Sequence, residues 1–88
     1  MKHVICAIYD TATSAYMRPF TAQTNGQAIR LLEDLLQDPN HDITKHPQDY
    51  ALFQLGVFDD NKGLIEGMET PVNLARAHEL LAKAKEQN

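Results

Sequence analysis

Residues 24–39 read TNGQAIRLLEDLLQDP, and their periodicity anchors the fold. At 100° per residue, Ala28, Ile29, Leu31, Leu32, Leu35 and Leu36 lie within an arc of about 160°, the width of one core-facing stripe. Gln27, Arg30, Glu33, Asp34 and Gln37 take the other side. Thr24 with Gln27 three residues later has capping-box spacing, in which a hydroxyl satisfies an unpaired N–H of the first turn. Asp38-Pro39 ends the segment, because a proline disfavours helical backbone in the residue before it. An amphipathic helix bounded in this way must bury its stripe against a second layer, and the flanking sequence supplies strands.

On the N-terminal side, residues 3–9 read as a strand. Val4, Cys6 and Ile8 alternate with Ile5, Ala7 and Tyr9, apolar on both sides, as expected of a strand covered on both faces. Asp10 to Ser14 is turn-like, and Ala15 to Phe20 returns as a second strand with Tyr16, Arg18 and Phe20 on one side. Pro19 lacks a backbone donor, which places this strand at an edge.

On the C-terminal side, Asn40 to Asp49 is a polar loop. Tyr50 to Phe58 alternates, with Ala51, Phe53, Leu55 and Val57 on an apolar side and Tyr50, Leu52, Gln54, Gly56 and Phe58 on a mixed side. Asp59 to Gly63 has turn chemistry, and Leu64 to Met68 reads as a fourth strand. Thr70-Pro71 then has the form of an N-cap with proline at the first helical position. The helix it predicts carries a seam of Leu74, Ala77, Leu81 and Ala84. The order is β-β-α-β-β-α. It predicts a single α+β domain over residues 1–88, a four-stranded antiparallel sheet with both helices on one face. Residues 86–88 are expected to fray.

Composition narrows the function. Eight Lys and Arg against twelve Asp and Glu leave a net charge of −4, with no basic cluster. Phosphate neutralisation supplies most non-specific affinity for nucleic acid, so any DNA contact must use a local patch or stacking. Cys6 is the sole cysteine, which excludes an intrachain disulfide and suits a buried thiol. No run approaches the ~20 apolar residues of a membrane span, and the start is too poor in apolar residues for a secretion signal. A cytosolic protein without membrane contact is expected. A chain of this size buries only roughly 60–65% of its unfolded surface, so a homodimer is also expected.

Catalytic signals are missing. There is no phosphate-binding loop, dinucleotide fingerprint or nucleophile elbow, and the single serine, Ser14, lies in a turn. An enzyme is not expected. His41 and His46 share a loop with Asp42 and Asp49, yet no paired Cys or i,i+4 His enforces convergence, so neither metal nor cofactor is expected. Asp59 to Gly63 looks like the opening of a calcium loop, but the twelfth position is Thr70 where a bidentate Glu is needed.

The aromatic residues carry more information. Tyr9, Tyr16, Phe20, Tyr50, Phe53 and Phe58 all fall on predicted strands. If Val4, Cys6 and Ile8 meet the helices, Tyr9 faces the open side. An open face carrying Tyr9, Tyr16, Arg18, Phe20 and Tyr50 can stack unpaired bases at about 1–3 kcal/mol each, a mode that tolerates an acidic protein. The same rings also suit cross-strand packing or a dimer interface.

Several segments together resemble one family. They are Tyr9-Asp10, Ala15-Tyr16 with Pro19-Phe20, Ala28-Ile29-Arg30, Asp38-Pro39, and above all His46 to Asp60 followed by Gly63. This arrangement is similar to the small nonstructural protein of gokushoviruses, microviruses with circular single-stranded DNA, over roughly residues 3–65. The resemblance implies a phage protein of the bacterial host cytoplasm that acts in viral single-stranded DNA synthesis or genome packaging. It implies single-stranded DNA or the replication complex as partner. It names no catalytic and no binding residues. An acidic, dimeric adaptor between the replication machinery and the procapsid, without DNA contact, is the alternative.

Overall fold

The structure is a computed structural model and describes residues 1–86. Strand β1 (Lys2–Asp10) lies inside an antiparallel sheet, paired along its whole length with β4 (Tyr50–Asp59). Strand β4 pairs on its other side with β5 (Leu64–Arg76), which forms one edge. The opposite edge is interrupted: β2 (Ala15–Tyr16) and β3 (Phe20–Ala22) both pair with β1. Counting these two pieces as one strand, the fold is the expected α+β arrangement, a curled four-stranded sheet with two major helices and a short one.

Helix α1 (Asn25–Leu35) begins at Thr24, whose hydroxyl accepts the Gln27 N–H at 3.1 Å. The Gln27 side chain reaches one residue further back than a capping box requires and accepts the Gln23 N–H at 2.7 Å. Ala28, Leu32 and Leu36 enter the core with Cys6, Ile8, Ala22 and Leu52. Leu31 and Leu35, on the flank of the same stripe, stay 44% and 36% exposed. The stripe is wider than the surface the sheet covers.

Three features depart from sequence expectation. The segment predicted as a polar loop contains helix α2 (Asp42–Lys45), and its Ile43 is fully buried in the core. His41 caps this turn, its Nδ1 accepting the Ile43 N–H at 3.1 Å. The predicted helix start at Thr70-Pro71 lies within β5, and α3 (Ala77–Glu86) begins six residues later. Leu74 is therefore a strand residue, and Leu80 packs on the core beside buried Ala77. Pro71 fits there because Met68 to Pro71 have no partners on β4, so no ladder donor is lost. Of the expected frayed end, Glu86 closes α3 and the rest lies outside the described residues.

Register shifts decide which side chains share a face, since one inserted residue moves everything beyond it to the other side. Tyr9 pairs Tyr16, but Cys6 pairs Phe20, so one extra residue is accommodated in the non-strand segment 17–19. Ile5 pairs Gly56 and Cys6 pairs Gln54, which leaves Leu55 as an extra residue in β4. These irregularities add twist and curl the sheet.

Candidate functional site

Cross-strand partners point to the same side, so the register builds the face away from the helices directly. Its first row is Tyr16, Tyr9, Ala51 and Arg76, one residue from each strand. The second is Ala7, Phe53 and Asn73, and at the far end His3, Phe58 and Ile65 form another. Phe53 stands among the tyrosines. Its ring centroid is 6.2 Å from Tyr9 and 5.7 Å from Tyr16, both edge-on, while Tyr9 and Tyr16 are 4.8 Å apart and tilted by 59°. Such offset geometries stabilise aromatic pairs by about 0.5–1.5 kcal/mol beyond burial, so the cluster is preorganised.

The small Ala51 side chain, between Tyr9 and Arg76, leaves a hollow of about 310 Å³. Tyr9 and Phe53 form its apolar wall, Gln48, Asn73, Arg76 and His78 supply polar groups around it, and Asp49 and Tyr50 line it as well. Two amides, one imidazole and a guanidinium beside two aromatic rings can hydrogen-bond a base, with Arg76 the cation to meet a phosphate and Asp49 an opposing carboxylate. Among the described residues Arg76 makes no ion pair.

The five residues singled out in the sequence do not assemble together. Tyr9 and Tyr16 lie on the open face. Phe20 packs against the core on the helix side, where the shift at residues 17–19 turns it, and Arg18 lines a groove beside α1. Tyr50 also packs against the core. Burial first, then the carboxylates of Asp10, Asp42 and Asp49, push its hydroxyl above the ordinary tyrosine range. Tyr50 still lines the hollow beside Tyr9, and the Asp49 carboxylate there disfavours a phosphate at that end. The expected single side holding Tyr16, Arg18, Phe20 and Tyr50 is therefore corrected. Phe53 and Arg76 join Tyr9 and Tyr16 instead, and strict alternation conceals Phe53 because the Leu55 insertion lies between it and Phe58. Arg76 lay in a predicted helix, where only the recognition that β5 continues past Pro71 brings it to the sheet.

A family model described as Phage ORF5 protein matches residues 3–80, most of the chain. The chain belongs to the phage ORF5 protein family. The match extends beyond Met68 and so includes all of β5 and the start of α3, with Asn73, Arg76 and His78 of the hollow. Neither a curated protein nor a solved structure matches this phage ORF5 protein. Among its described residues no helix is long and apolar enough to cross a membrane.

Proposed function

We propose that this phage ORF5 family protein binds unpaired single-stranded DNA weakly through the open sheet face, as a non-catalytic component of viral DNA synthesis or genome packaging. The reading places it in the host cytoplasm and, by its resemblance to the gokushovirus nonstructural proteins, in the cycle of a single-stranded DNA microvirus. The observation that carries it is the row Tyr16, Tyr9, Ala51, Arg76 with Phe53 alongside. Rings suit the faces of unpaired bases, and one unpaired guanidinium suits the backbone. Because the net charge is −4, stacking supplies most of the affinity.

Fluorescence anisotropy with labelled single strands across a salt series tests this. Tyr16 is 42% exposed, so its removal leaves the core intact, and Tyr16→Ala is expected to weaken binding by ~5- to 30-fold, corresponding to about 1–2 kcal/mol of stacking. One phosphate neutralised on a single strand gives a logarithmic salt slope of about −0.7, or roughly threefold between 50 and 200 mM. Arg76→Ala should remove that dependence. Absence of saturable binding at low salt would end the proposal.

One observation favours the adaptor reading: the tip of the β4–β5 hairpin exposes Leu64 and Ile65, the latter by 72%. Capture of replication or procapsid proteins from nuclease-treated infected lysate, lost in Ile65→Lys, would support it. Capture that disappears with nuclease would return the case to DNA.

A further inference from the structure

A second surface lies on the helix side, away from the proposed DNA face. Between α1 and the irregular edge segment runs an apolar groove of about 420 Å³. Leu31, Asp34 and Leu35 form its helix wall, and Met17, Arg18 and Phe20 its strand wall. Met17 and Leu31 are each 44% exposed, although the core is short of large side chains and would gain from covering them. The two walls carry opposite charges, and among the described residues neither Arg18 nor Asp34 makes an ion pair.

We infer that this groove is the interface of a homodimer with the two-fold axis running along it. A rotation about such an axis sets each helix wall against the partner's strand wall. Leu31 and Leu35 then cover Met17 and Phe20 of the other copy, and Arg18 meets Asp34 twice, once on each side of the axis. Self-complementarity of this kind is what an isologous interface requires. A groove of one charge would repel its own copy. The dimer also leaves both aromatic faces directed outward, since they lie on the opposite side of the sheet. A small chain with a modest core commonly adds burial by association.

Sedimentation velocity over a micromolar-to-millimolar concentration series tests the interface. The wild-type protein should be a dimer. Leu31→Glu, Arg18→Glu and Asp34→Arg should each raise the dimer dissociation constant by about tenfold or more, because two-fold symmetry makes each substitution act twice. The double variant Arg18→Glu/Asp34→Arg should restore association to near wild type, an outcome that a loss of folding cannot imitate. Met17→Glu reads the same surface from the strand wall should Leu31→Glu fail to fold by circular dichroism. A wild-type monomer at millimolar concentration would overturn the inference. So would a dimer unmoved by Leu31→Glu and Met17→Glu, or a double variant no better than its parents.

Discussion

Gly56 and Gly67 face each other across β4 and β5, yet alanine at the two positions should have opposite consequences. A Cβ on Gly56 overlaps the Glu66 carbonyl oxygen and comes within 3.1 Å of Gly67 Cα and 3.2 Å of the Glu66 carbonyl carbon. All three are backbone atoms of the paired strand, so no side chain can rotate away, and relief requires β5 to separate from β4. Overpacking of this kind costs about 1–3 kcal/mol. For a domain of this size each kcal/mol moves the melting temperature by about 4–8 °C, so Gly56→Ala should melt ~5–20 °C lower. A Cβ on Gly67 meets nothing within 4 Å. Gly67→Ala should therefore stay within about 0.5 kcal/mol of the parent, helped by a less flexible unfolded chain. Urea titration and thermal melts followed by circular dichroism measure both. If Gly56→Ala proves no less stable than Gly67→Ala, the register around Leu55 is wrong, and with it the grouping of Phe53 and Phe58 on one face.

Ile43→Ala should cost about 2–4 kcal/mol in urea unfolding, since the side chain is fully buried although its neighbours are polar; a surface-like value would remove α2 from the core. Cys6 is fully buried, and burial raises its thiol pKa, so aromatic disulfide reagents should label it only through opening. For a domain stable by ~5 kcal/mol, protection relative to denaturant should reach about a thousandfold or more, and rapid native labelling would contradict the packing. Hydrogen bonds from the Met1 amine at 2.6 Å and with His3 at 2.8 Å hold the Asp60 carboxyl below the usual carboxylate range. A depressed folded pKa contributes stability above the unfolded value and loses it as pH falls through the folded one. Asp60→Asn should accordingly reduce the fall in stability on acidification below the ordinary aspartate pKa, and an unchanged acid limb would exclude the tie.

Much of the architecture was written in local pattern. The α1 stripe, the Thr24 cap and the Asp59–Gly63 turn were legible because each depends on residues within one or two turns of one another. Gly63, at φ +67°, occupies the left-handed region that the turn requires. The faces were less legible, because alternation predicts sides only while the register is unbroken. Leu55 is apolar and suits either side, so nothing in its identity marks it as the inserted residue, and it reassigns Phe53. Pro19 did signal an irregular edge, but not that Phe20 would turn inward. Thr70-Pro71 was ambiguous for a physical reason: a proline that starts a helix and a proline outside the ladder of an edge strand both lack a partner for the missing N–H. Ile43 depended on tertiary contact alone.

The central claim is that the aromatic side of the sheet, and not the helix side, meets single-stranded DNA. Backbone amide NMR during titration with an oligothymidine addresses it residue by residue. The account predicts shifts concentrated at Tyr9, Tyr16, Ala51, Phe53, Asn73 and Arg76, with α1 and Phe20 unmoved. Shifts centred on α1 and Arg18, or no change at saturating strand, would contradict it.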